Sequence, residues 1–297
     1  MKLLYVTRVD IRRELMSFFE ELNKHFSEIE YFFINESNKS VIDVYNNFLP
    51  DVLLMHTNRC YLPGETLNSF NKSYNIFWIN DERVPIKKNI INKSKNINLY
   101  LMASDDSVAD IKKRTNSDAD YLIMGFKKKI SVIEKNNYDI SFSGNNNGIF
   151  YFSKLREEYI NFLRKCYKKR FFLCGNNWGE SIKHEHYSLA CNSKIGIAIN
   201  NCNTSRTYSN RMYQIMGNKL LCLCYKTKNI DKVFGPGKHF VLFDSKKDMQ
   251  EKIDYYLKHE TERLRIAESG YNFVNNNHTW KNKALNIIKF LKNRKVI

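Results

Sequence analysis

The chain opens on a short apolar run, Leu3 to Val6, followed near Ile11 to Phe26 by apolar residues recurring every three or four positions. The first pattern reads as a buried strand and the second as an amphipathic helix. The alternation continues. Ile29 to Ile34, Val52 to Met55 after Pro50, Ile76 to Ile79, Leu99 to Met102 and Tyr121 to Met124 ending in Gly125 all read as strands. A helix opens at Ser104, whose hydroxyl can cap it while Asp105 and Asp106 sit near the positive end of its dipole. Strands and helices in this order predict parallel pairing with crossover helices, so residues 1–135 read as one α/β domain.

Beyond the polar stretch Glu134 to Asn137 the pattern restarts with a strand, Tyr138 to Ser143, and a loop, Gly144-Asn145-Asn146-Asn147-Gly148. A helix near Ser153 to Tyr167, strands Phe171 to Cys174 and Ile195 to Ile199, a helix around Ser209 to Met216 and a strand Leu220 to Cys224 follow. Residues 136–280 therefore read as a second α/β domain. The closing segments Asp248 to Leu257, Glu260 to Asn275 and Lys281 to Lys292 have helical spacing, for example Leu285, Ile288 and Leu291. They are expected to pack back across the domains, residues 281–297 as a helix returning to the first. No segment of 20–50 residues repeats, which excludes a solenoid. The expected fold class is α/β: two Rossmann-like domains facing a cleft.

Composition narrows the class. With 43% hydrophobic residues, 4 Pro and 11 Gly the chain is neither disordered nor collagenous. The 7 cysteines are scattered and never form C-x-x-C, which excludes a zinc ribbon and a disulfide framework and suits a reducing cytoplasm. Arg8, Asp10, Arg12 and Arg13 interrupt the segment where a signal peptide needs an apolar core, and no stretch approaches the roughly 18 apolar residues of a membrane span. A cytoplasmic protein without a transmembrane segment is expected, with peripheral membrane contact left open. The 48 Lys+Arg against 31 Asp+Glu leave +17, which favours anionic partners: nucleotide phosphates, nucleic acid or an acidic membrane. Many lysines accompany Asn, Ile and Tyr, as AT-rich coding would also produce, so charge alone does not choose.

In open parallel sheets ligands gather beyond the carboxyl ends of the strands. That rule selects Arg8 and Asp10, His56 and Asn58, Asn80, Asp81 and Glu82, the Gly144 loop, and Gly175-Asn176-Asn177-Trp178. The Gly144 loop can turn backbone N–H groups toward a phosphate, although it is neither G-x-G-x-x-G nor a P-loop. Arg211 stands at the opening of a helix whose amides already favour negative charge, where a guanidinium can clamp a diphosphate. Two basic runs, Lys127-Lys128-Lys129 and Arg164 to Arg170, suit nucleic-acid contact through Lys168, Lys169 and Arg170, or solvated helix faces. His184-Glu185-His186 has the wrong spacing for a zincin pair, and Asp118-Ala119-Asp120 precedes a strand instead of following one, so no metal is expected at either.

The stretch Arg211-Met212-Tyr213-Gln214-Ile215-Met216-Gly217-Asn218-Lys219-Leu220-Leu221 resembles the R-x-[FY]-E-x-x-x-x-G-x-x-L element of CgeB-type (spore-maturation-protein-like) glycosyltransferases of the group 1 assemblage. Lys232 to His239, Phe243 to Leu257, Glu262 to Gly270 and His278-Thr279-Trp280 resemble further segments of that family, as does the strand Tyr138 to Gly144. The similarity covers about residues 138–290, and the first domain by architecture alone.

This resemblance implies a GT-B fold that moves a hexose or pentose from a nucleotide-diphosphate sugar, held mainly by the second domain, to an acceptor hydroxyl, with no cofactor beyond that co-substrate and no obligatory metal. Arg211 would face the diphosphate with Gly144 and Asn145 close by, Gln214 would meet the ribose, and Gly175, Trp178, Arg206, Ser209 and Tyr213 would complete the donor site. Gln214 replaces the family's Glu, and Arg206 stands about where relatives carry a donor-sugar carboxylate. The general base, if one is used, is sought among Asp81, His56 and Asp10. Each has a bland alternative: pairing with Arg83, a satisfied buried histidine, and a helix cap, respectively. The acceptor is either a hydroxymethylated base in DNA or a glycan or protein hydroxyl. A non-catalytic module of the same fold, binding nucleic acid or an anionic surface, is the alternative reading.

Overall fold

The structure, a computed structural model, describes residues 1–7, 15–34, 37–56, 64–80, 85–86, 96–126, 138–146, 148, 150–175, 178 and 192–297. Arg8, Asp10, Asn58, Asp81, Glu82, Lys127, Lys128, Lys129, Asn176, Asn177 and the His184–His186 run lie outside the described residues. The chain forms two compact units, Met1–Lys127 with His278–Ile297, and Lys128–Asn277.

The first unit is built on a six-stranded sheet, ordered β2-β1-β3-β4-β5-β6, from β1 (Lys2–Thr7), β2 (Glu28–Phe33), β3 (Val52–His56), β4 (Tyr74–Ile79), β5 (Leu99–Met102) and β6 (Asp118–Tyr121). Every pairing is parallel. Its helices are α1 (Met16–Leu22), α2 (Val41–Phe48), α3 (Gly64–Asn68), α4 (Asp105–Arg114) and, from the end of the chain, α9 (Trp280–Asn293). Successive residues of one strand point to opposite faces, so a sheet covered on both sides needs unbroken apolar strands. Leu3, Tyr5, Val52 and Leu54 join one cluster with α1 and α9, while Leu4, Val6, Leu53 and Met55 join the other with Val41 and Tyr45 of α2. Ser104 caps α4 by accepting from the Ser107 amide at 3.1 Å, as the sequence predicts.

Two expectations need correcting here. The last strand is Asp118–Tyr121, earlier than the apolar run Tyr121 to Met124 suggests. It is a polar edge strand whose acids are bound by Arg294, Nε to Asp118 at 2.9 Å and Nη2 to Asp120 at 2.5 Å. Leu122 and Ile123 are buried beyond it, which explains the misleading pattern. In α9 the buried stripe is Trp280, Ala284, Ile287, Ile288 and Leu291, whereas Leu285 is exposed. The chain re-enters this unit through a close crossing: a Cβ on Gly125 would lie 2.8 Å from the Trp280 backbone.

The second unit carries a five-stranded sheet, ordered β11-β10-β9-β7-β8, from β7 (Tyr138–Ser143), β8 (Phe171–Cys174), β9 (Ser193–Ala198), β10 (Leu221–Tyr225) and β11 (Val241–Phe243). These strands are also parallel throughout. Around them run α5 (Ser153–Tyr167), α6 (Asn210–Gly217), α7 (Lys246–Lys258) and α8 (Glu260–Asn277). Parallel strands bring all the carboxyl ends, those of β7, β8, β9 and β10 among them, to one edge of the sheet.

Candidate donor site

β7 and β9 are neighbours in register, so the Ser143 and Ile199 carbonyls emerge together at the carboxyl edge of the second sheet. Arg211 reaches them from the first turn of α6. Ser209 caps that helix, its hydroxyl accepting from the Arg211 amide at 3.3 Å, and the Ser209 amide donates to Asn200 Oδ1 at 2.9 Å. Asn200, fully buried, donates in turn to Thr227 Oγ1 at 3.3 Å. The start of α6 is thereby pinned to the ends of β9 and β10. Its arginine lies over Phe142, 4.4 Å from the ring centroid, with Nε donating to the Ser143 carbonyl and Nη1 to the Ile199 carbonyl at 2.8 Å. Arg211 is 7% exposed, which rules out a solvated surface arginine.

The glycines make room for this packing. A Cβ on Gly144 would sit 2.2 Å from Arg211 Nη2, and one on Gly175, at φ +139, would sit 2.2 Å from the Gly144 carbonyl oxygen. That oxygen accepts from Trp178 Nε1 at 2.6 Å. Gly144, Gly175 and Trp178, named from sequence as ligand contacts, therefore hold one another, and their packing sets the path of the backbone through Asn145.

Arg156 belongs to the same cluster, and sequence reasoning missed it. From α5 its Nη1 donates to the Asn145 carbonyl at 3.2 Å, and its Nη2 to the Ile199 carbonyl at 3.1 Å and to Asn201 Oδ1. Desolvation lowers its pKa to about 10. A signal existed: Arg156 falls on the helical stripe otherwise made of Tyr159, Ile160, Leu163 and Tyr167. Two guanidinium groups and the amino end of α6 thus converge on one sheet edge, an arrangement chemically suited to an anion.

Other predicted donor residues fall in different places. Tyr213 is wholly buried, with its hydroxyl bonded to that of Tyr208 and its ring edge-on to Phe234, so it is a core residue and not a ligand contact. Gln214 is half-buried on α6. Arg206, also half-buried, adopts a left-handed backbone at φ 60, and its amide donates to the Lys228 carbonyl at 3.0 Å. Lys168, Lys169 and Arg170 form an exposed 3-10 turn before β8. Parallel topology puts that turn at the amino edge of the sheet, opposite Arg211, and Arg170 pairs with Asp139, which also binds Lys194 at 2.8 Å.

In the first unit, His56 is corrected as a candidate base. It is fully enclosed, stacked on Trp78 at 4.1 Å between centroids, with Nδ1 2.6 Å from the Tyr5 hydroxyl and Nε2 2.9 Å from Asn80 Nδ2. Desolvation lowers its pKa to about 3. Since the unfolded imidazole takes up a proton near pH 6.5 and the folded one does not until about 3, stability should fall as pH drops through that window. The loss is on the order of 4 kcal/mol by the bottom of it. Urea midpoints from pH 7 to pH 4 should show a flatter acid limb in His56→Gln than in the parent; parallel limbs would contradict this account.

Among the described residues, no three His, Cys, Asp or Glu side chains converge as metal ligands, and no helix is long and apolar enough to cross a membrane.

Residues 156–289, from Arg156 through Arg211 into α9, match the model of the glycosyl transferase-like family. HepE of Anabaena, solved with UDP and glucose, superposes with a TM-score of 0.66 at 10% identity over 99% of this chain and 100% of its own. The fold is GT-B. Sucrose-phosphate synthase from Thermosynechococcus elongatus shares this GT-B architecture at a TM-score of 0.65 and 8% identity, covering 99% of this chain and 98% of that one. A glycosyltransferase from Rickettsia africae does so at 0.63 and 10%, covering 98% of each. No curated protein sequence matches the chain. The relation is thus to GT-B proteins and the glycosyl transferase-like family broadly, a coarser placement than the CgeB-type group.

Proposed function

We propose that this chain transfers a sugar from a nucleoside diphosphate donor to an acceptor hydroxyl, with the leaving diphosphate bound at the carboxyl edge of the second sheet. The observation that carries this reading is the buried Arg211, which belongs to the segment matching the family and is fixed by the Ser143 and Ile199 carbonyls against Gly144. Glycosyl transfer leaves negative charge on the departing diphosphate, and a preorganised guanidinium stabilises that charge without reorganising as it forms. Gln214 can meet a ribose hydroxyl through its amide, and Arg206 would stand near the sugar. The C-terminal segments resembling CgeB-type enzymes support the same donor class. HepE was solved with UDP and glucose, which makes UDP-glucose the first donor to try.

A glycan or protein hydroxyl is the acceptor we favour over DNA. In support, the Lys168 to Arg170 turn lies at the sheet edge away from Arg211, and one of its three cations is engaged by Asp139. The test is a panel of UDP-, GDP- and TDP-sugars assayed for sugar release and transfer, with calorimetry of the corresponding diphosphates. Release from one donor and micromolar to millimolar diphosphate binding are expected. Neither release nor binding would overturn the reading and leave the non-catalytic module. Tight duplex DNA binding with a steep salt dependence would restore the DNA acceptor.

A further inference from the structure

Two of the buried arginines of the second unit, Arg156 and Arg263, have sharply different surroundings. Arg263 of α8 has Glu260 at 2.6 Å as a counter-charge. Arg156 is 2% exposed, and none of the ion pairs among the described residues includes it. Its donors go to neutral oxygens, the Asn145 and Ile199 carbonyls and Asn201 Oδ1, while its Nε is buried without a hydrogen-bond partner. A buried cation that lacks a carboxylate is costly, and desolvation already pulls its pKa down to about 10. Packing alone would be served as well by an apolar residue, since the rest of that helical stripe is largely apolar or aromatic.

The neighbours of Arg156 suggest what the charge is for. Arg211 and Arg156 donate to the same Ile199 carbonyl, and their guanidinium carbons lie 4.4 and 6.0 Å from the Phe142 centroid. Arg211 grips the end of β7 at Ser143, and Arg156 grips the next stretch of the same chain at Asn145. We propose that Arg156 is a positioning residue of the diphosphate site: it straps the Gly144–Asn145 backbone to the segment after β9, and its uncompensated charge adds to that of Arg211 in holding a dianion. This deepens the donor reading above and rests on it for the identity of the natural ligand. The ligand class it requires is a diphosphate, free or esterified.

Inorganic pyrophosphate and UDP serve as probes, with calorimetry and thermal shift on the full chain, its Arg156→Gln variant and its Arg156→Lys variant. Pyrophosphate and UDP affinity should fall about tenfold in Arg156→Gln, and Arg156→Lys, which keeps the charge but loses the planar fork, should recover much of that loss. A purely structural role predicts equal effects of the two substitutions, and that result, or wild-type affinity in a folded Arg156→Gln, overturns the proposal. So does a parent protein that binds neither probe. A parent that binds pyrophosphate through Arg156, yet takes no nucleoside diphosphate and transfers no sugar, upholds the proposal and overturns the glycosyltransferase reading. Should Arg156→Gln not fold, Asn201→Ala removes one anchor and leaves the charge. A pyrophosphate affinity about threefold weaker then supports the proposal, and an unchanged one overturns it.

Discussion

Arg211→Ala should lower sugar-transfer turnover by about two to three orders of magnitude, the usual effect of removing one preorganised donor to a developing anion. The substitution also strips a hydrogen-bond partner from the Ser143 and Ile199 carbonyls. The Ile199 carbonyl keeps Arg156, so the loss falls on the Ser143 carbonyl and costs about 1–3 kcal/mol, and turnover must be referred to the folded fraction measured by circular dichroism. Arg211→Lys is the informative companion. It keeps a cation but cannot span both carbonyls while staying flat on Phe142, so it should fold better than the alanine variant and still lose most of the activity. A folded Arg211→Ala protein with parental turnover would remove the guanidinium from the chemistry.

Gly175→Ala should be the most damaging single methyl in the second unit. The added Cβ would lie 2.2 Å from the Gly144 carbonyl oxygen, a backbone atom that cannot swing aside, and the φ of +139 is itself strained for any residue with a side chain. A loss of roughly 2–4 kcal/mol is expected, with diphosphate affinity reduced because the Gly144–Asn145 backbone must shift. Gly237→Ala supplies the control: its φ is +73, but nothing lies within 4 Å of the Cβ position, so only the conformational cost of about 1 kcal/mol applies. Urea midpoints for the two variants decide the matter, and equal losses would show that crowding at Gly175 is absent.

Several residues show why a site is only partly legible in a sequence. Arg211 was findable because it stands at a helical start followed by an apolar strand. Arg156 carried no such mark. Its neighbours Lys154, Glu157 and Glu158 make the stretch look like a solvated helix face, and only the spacing to Tyr159, Ile160 and Leu163 places it inside. His56 illustrates the opposite error. The strand-end rule selects it correctly as a position, yet the rule is silent about Trp78 and Tyr5, which close over the ring from neighbouring strands. Tyr213 sits two residues from Arg211, and a helix turns by about 200° over that distance, so one faces the strand ends and the other the Tyr208 and Phe234 core.

The alternation of apolar runs and helical spacing was enough to specify two parallel α/β halves, because a strand buried on both faces must be apolar at every position and its crossover helix apolar along one stripe. Local chemistry likewise marked where α4 begins. Which strands lie side by side was settled only by folding, and with it which distant residues meet: β7 beside β9 brings Ser143 to Ile199, and α5 and α6 then deliver Arg156 and Arg211 to the same carbonyl. The physical reason is that hydrophobic burial is non-directional and can be read from composition along the chain, whereas hydrogen bonds and charges act over a few ångströms between residues far apart in sequence.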